Sequence, residues 1–131
     1  MEEFYKKYGL HDACITHVSI KNSDVILHFE GGVYQLDENG KETSLTPACQ
    51  LIIKCVDDNF DQHIIIERCY KRKKSEIGIE IYQKLMSENV FDIDIDYYSL
   101  FAKSILLKGY IGKDQINVII SDISGIEIIF L

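Results

Sequence analysis

Apolar and polar side chains alternate one by one through most of this chain, and a two-residue period places successive side chains on opposite faces of a strand. In Cys14-Ile15-Thr16-His17-Val18-Ser19-Ile20, the even positions Cys14, Val18 and Ile20 make an inward face while His17 and Ser19 point out. Asn22-Ser23-Asp24 supplies turn residues, and Val25, Leu27 and Phe29 continue the inward face, so the two stretches predict a hairpin. The pattern resumes at Val33 to Asp37 and stops at Asn39-Gly40, a pair that tolerates the positive φ of a tight turn. After Pro47, whose ring can open a strand without removing an interior ladder donor, Cys49, Leu51, Ile53 and Cys55 form a wholly apolar odd face. The β-branched stretch from Gln62 to Tyr70 is apolar on both sides around Ile64-Ile65-Ile66, as in an interior strand.

The character changes at Lys71-Arg72-Lys73-Lys74-Ser75, a polar run without a period. Ile79, Tyr82, Gln83, Leu85 and Met86 then fit a helical stripe, which predicts one short helix near residues 78–88. Phe91-Asp92-Ile93-Asp94-Ile95-Asp96-Tyr97 alternates without a fault. Leu100 to Ile111, Ile116 to Ile120 and Ile126 to Leu131 complete the strands, with turns expected at Gly112-Lys113-Asp114 and at Ser124-Gly125. About eight or nine strands joined by short links call for antiparallel pairing, because parallel neighbours need a crossover of a dozen or more residues. The expected fold class is α+β: mostly antiparallel β, as a curved sheet or two packed sheets, with one short helix.

The length of 131 residues suits a single domain over 1–131 and is too short for two independent cores. A hydrophobic fraction of 47% is too high for a disordered chain. No apolar run approaches the ~20 residues that span a bilayer, and Met1 to Lys7 lacks the layout of a signal peptide, so a cytoplasmic protein is expected. Fourteen basic against twenty-one acidic side chains leave a net charge of −7. That field repels nucleic-acid phosphate and anionic lipid and favours a basic protein as partner, besides keeping the chain dispersed. The four cysteines, Cys14, Cys49, Cys55 and Cys69, read as reduced thiols. The first three lie on apolar faces and suit a core; Cys69 adjoins the basic run.

The strongest candidate site is the acidic row Asp92, Asp94 and Asp96, with Tyr98 beside it. On a regular strand the row projects its carboxylates from one face at roughly 7 Å intervals, able to meet an Arg/Lys-rich partner or simply to remain solvated. It is not a calcium loop, since Tyr97 stands where the sharp turn needs glycine and Lys103 where a bidentate glutamate belongs. An alternative ligand site is His17, His28 and Glu30, on the outward face of paired strands, where a His–carboxylate pair could do general acid–base work in a small enzyme or ligand-binding protein. Cys14 and His17 have a zinc-like spacing, but an interval of three on a strand puts them on opposite faces and no second knuckle follows. Gly109 to Asp114 is too short for a nucleotide loop. No metal, cofactor or catalytic set is expected.

The opening Tyr8-Gly9-Leu10-His11-Asp12-Ala13-Cys14-Ile15, the later Phe29-Glu30-Gly31-Gly32-Val33-Tyr34, Asp96-Tyr97-Tyr98 and Leu106-Leu107-Lys108-Gly109-Tyr110 resemble small uncharacterised bacterial cytosolic α+β proteins. Some short acidic proteins of that kind are similar to immunity proteins, which neutralise a toxin by binding it. The resemblance implies a non-enzymatic protein-binding module, an immunity-type inhibitor of a basic toxin among them. A homodimer formed through an unpaired terminal strand is a further expectation.

Overall fold

A computed structural model describes the backbone of residues 1–131 and every side chain except those of Phe60 and Asp61. Three antiparallel sheets carry thirteen strands. A six-stranded sheet is ordered β2 (Cys14–Ile15), β10 (Phe91–Ser99), β11 (Ser104–Ile111), β12 (Asp114–Ile120), β8 (Ile64–Tyr70) and β9 (Lys73–Ile77). A four-stranded sheet is ordered β13 (Ile123–Phe130), β7 (Cys49–Cys55), β4 (Asp24–Phe29) and β3 (His17–Lys21). A small sheet joins β1 (Tyr8–Gly9), β5 (Tyr34–Leu36) and β6 (Glu42–Leu45). The helices are α1 (Glu2–Lys7), α2 (Phe60–His63) and α3 (Ile79–Glu88). The α+β class and the single longer helix agree with the alternation and the helical stripe.

The faces foreseen for the central strands hold. Cys49, Leu51, Ile53 and Cys55 of β7 and Val25, Leu27 and Phe29 of β4 are buried, and they merge with Ile105, Leu107, Ile116, Val118 and Ile120 of the six-stranded sheet in one apolar core. Each such side chain contributes about 1.5–3 kcal/mol by leaving water, which is why the two-residue period dominates the fold. The polar run at Lys71 forms a hairpin: Lys71 and Arg72 both take positive φ, closing a tight turn between β8 and β9, and β9 is an exposed, lysine-bearing edge. Ser124-Gly125 is not a turn, since β13 runs through it with an irregularity in its pairing to β7.

Cys14 departs from its expected place. The stretch 14–20 divides at Thr16 into β2 and β3, which belong to different sheets, so Ala13 and Ile15 are buried while Cys14 is only half-buried.

On α3, Tyr82 and Met86 are buried one turn apart, and the Gln83 amide donates to the Val18 carbonyl oxygen at 3.0 Å, tying the helix to β3. Tyr82 meets Phe91 edge-on at 5.8 Å, but its hydroxyl is fully buried and has no hydrogen-bond partner among the described residues. An unpaired buried hydroxyl costs free energy that a phenylalanine would not. Tyr82→Phe is therefore expected to raise stability by about 1 kcal/mol, read as a higher urea midpoint; a loss of similar size would show that the hydroxyl is satisfied after all.

Candidate functional site

The acidic row is broken by a bulge. On β10 and β11, Phe91, Asp92 and Ile93 pair with Ile111, Tyr110 and Gly109, but the next pair is Ile95 with Lys108, leaving Asp94 unopposed. One extra residue reverses the two faces of a strand from that point on. Asp92 and Asp94 are exposed, whereas Asp96 pairs with the buried Leu107 and turns to the inner side. There Asp96 accepts hydrogen bonds from the Tyr5 hydroxyl at 3.0 Å and the Leu10 N–H at 3.2 Å. Burial nevertheless dominates and raises the Asp96 pKa above the usual carboxylate range. Tyr98 also lies beyond the bulge and stacks on Tyr5, ring centroids 4.0 Å apart. The expected surface of Asp92, Asp94, Asp96 and Tyr98 is thus split between two faces.

Other residues rebuild an acidic site around the first two. Asp12 holds a left-handed φ of 63°, and its N–H donates to the Ile93 carbonyl oxygen at 2.8 Å, which anchors the chain before β2 alongside β10. Asp12, Asp92, Ile93, Asp94 and Tyr110 line a notch of about 250 Å³. The Cys14 thiol donates to Asp92 Oδ1 at 2.7 Å, and burial together with that bond pushes it up to about 11, so Cys14 is a hydrogen-bond donor and not a reactive thiolate. His11 Nδ1 lies 3.3 Å from Asp12 Oδ2 and 3.2 Å from Glu42 Oε1. Those three donors lie within 4.8 Å of one another, a spacing open to a cation, but all three residues are exposed and the imidazole already bridges the two carboxylates. No lysine or arginine pairs with Asp12, Asp92 or Asp94 among the described residues.

The solvent side of the same sheet adds apolar area. The register sets Tyr97, Leu106, Ile119 and Ile65 in one row across β10, β11, β12 and β8. Tyr97 is 63% exposed and Ile65 40%. At the tip of the β10–β11 hairpin, Phe101 is fully exposed.

The alternative histidine site does assemble. His17 and His28 are direct cross-strand partners with ring centroids 4.9 Å apart, and both line, with Thr16 and Glu30, a groove of about 320 Å³. Burial, then the neighbouring His17, lower the His28 pKa, while Glu30 opposes them.

Comparison with protein-family models, curated proteins and solved structures finds no match to this chain. No helix is long and apolar enough to cross a membrane.

A third constellation had no counterpart in the sequence reading. His63 is buried with Nε2 at 2.6 Å from Asp57 Oδ1 and Nδ1 at 2.9 Å from Asp122 Oδ2. The imidazole clasps the segment after β7 to the β12–β13 link. Only the polar break Asp57-Asp58 marks it in the sequence, and the second carboxylate is fifty-nine positions away.

Proposed function

We propose that the chain is a non-enzymatic binding module that takes a basic protein on the solvent side of its six-stranded sheet, with a lysine or arginine of the partner entering the notch of Asp12, Asp92 and Asp94. The observation that carries this reading is the gathering of three carboxylates around Tyr110 with no lysine or arginine paired to them among the described residues, only the His11 imidazole lying beside Asp12. An incoming cation pairs with these carboxylates while the tyrosine ring offers it a π-face. The neighbouring row of Tyr97, Leu106, Ile119 and Ile65 supplies the apolar centre that an interface needs beside a charged rim. An immunity-type inhibitor that covers the basic surface of a toxin is the specific form of this reading, supported by the same charge relation and by the net charge of −7.

The test is affinity for the protein recovered from the native host. That protein should be basic, and changing Asp12, Asp92 and Asp94 together to Asn should weaken it by about 2 kcal/mol or more, above tenfold, with a reduced salt dependence. Asp96→Asn should leave affinity unchanged, because Asp96 faces Tyr5. Undiminished binding by the triple variant would defeat the assignment.

A further inference from the structure

The outer face of the four-stranded sheet offers a second kind of chemistry. His17 and His28 stand opposite each other on β3 and β4, their planes inclined at 57° and no hydrogen bond joining the two rings among the described residues. His17 is exposed on an edge strand, while His28 is held from both sides, with Gln50 Nε2 at 3.3 Å from Nδ1 and Ser19 Oγ at 3.5 Å from Nε2. Glu30 lines the same groove from the end of β4.

We propose that His17 and His28 bind one divalent transition-metal ion of the zinc, nickel and copper class through their paired imidazoles, with Glu30 at the rim of the same groove. Imidazole nitrogen suits these ions, whereas calcium and magnesium take oxygen shells. Nitrogens each about 2.0–2.1 Å from a tetrahedral ion lie about 3.3 Å apart, and turning the exposed His17 ring about its side-chain torsions closes the present gap with the hairpin backbone fixed. Gln50 is the positioning residue. The amide oxygen and nitrogen are interchangeable in outline, and with the oxygen toward the ring Gln50 accepts the Nδ1 proton, so that Nε2 takes the ion in place of its present 3.5 Å contact with the Ser19 hydroxyl. The net charge of −7 draws cations toward the chain. This site lies on the other sheet and is independent of the protein-binding reading.

Calorimetric titration of the full chain with zinc or nickel ions alone, near neutral pH, is expected to give one ion per chain at micromolar affinity. His17→Ala and His28→Ala should each weaken it at least about tenfold, and Gln50→Leu about tenfold while Gln50→Glu restores it. His11→Ala should have no effect. On the unmodified protein, zinc should shift the ring proton resonances of His17 and His28 and leave those of His11 and His63 in place, a readout that does not depend on any variant folding. No binding at millimolar metal, or resonance shifts confined to His11, would overturn the proposal.

Discussion

Gly109→Ala is expected to cost about 3 kcal/mol or more, seen as a lower urea midpoint at unchanged slope. Gly109 sits inside β11 opposite Ile93, at the last regular pair before the bulge. A Cβ there would overlap the Asp92 carbonyl oxygen and approach the Phe91 ring to 2.8 Å. The obstacle is backbone, so no rotamer change relieves it. Either β10 moves away from β11 and surrenders ladder hydrogen bonds, or the bulge shifts and turns Asp96 away from Tyr5. Gly125 provides an internal control, because it also lies at a strand irregularity yet a Cβ there meets nothing within 4 Å. Gly125→Ala should be neutral or gain a few tenths of a kcal/mol by restricting the unfolded chain. Equal effects at the two positions would mean that the close approach of β10 and β11 is not what requires glycine.

That glycine also shows how far the sequence could be read. A perfect alternation from Phe91 to Tyr97 implies one acidic face, and nothing inside the stretch records the extra residue at Asp94. The record is on the neighbouring strand, because glycine within a strand interior marks a bulge or a close backbone approach, and Gly109 lies inside the apolar segment Leu100 to Ile111. The turn expected at Gly112-Lys113-Asp114 forms there, and Gly112 has φ of 61°. The same limitation displaced Cys14. Alternation across Thr16 is continuous in sequence, but the chain leaves one sheet for the other there, which reverses which neighbours count as inside.

Where a face was set by burial alone, as on β4 and β7, the period sufficed. It also sufficed for the His17–His28 pairing, since a short hairpin fixes its own register. It failed where pairing is non-local. Glu42 approaches His11 only because β6 returns beside β5 and β5 beside β1, and β6 is exposed along its whole length with no alternation to reveal it. The candidate site therefore had two of its carboxylates legible, Asp92 and Asp94, while Asp12 and Tyr110 joined them through long-range register.

The His63 clasp should make stability depend on pH in a defined direction. Hydrogen bonding to Asp57, against opposing burial and aided by Asp122, raises the His63 pKa above its ordinary 6.5. The folded state thus favours the imidazolium, and this contribution is complete below 6.5 and is lost as pH rises through the raised value. Asp57 is shifted the other way, held below its ordinary 3.8 by the bond to His63 and by the Asn59 N–H, so its contribution is present above 3.8 and is lost only as pH falls through the lowered value. The clasp is therefore strongest between those limits, with His63 charged and both carboxylates available to it. Melting temperatures of the protein and of His63→Gln, compared from about pH 5 to about pH 9, should differ most at the acid end and converge as the imidazolium loses its proton. The ring proton of His63 should titrate above 6.5 in the same range. A gap that widens with rising pH, or a His63 that titrates below its ordinary value, would show that desolvation of the ring outweighs its two carboxylates, and that the link between β7 and β13 is held by packing instead.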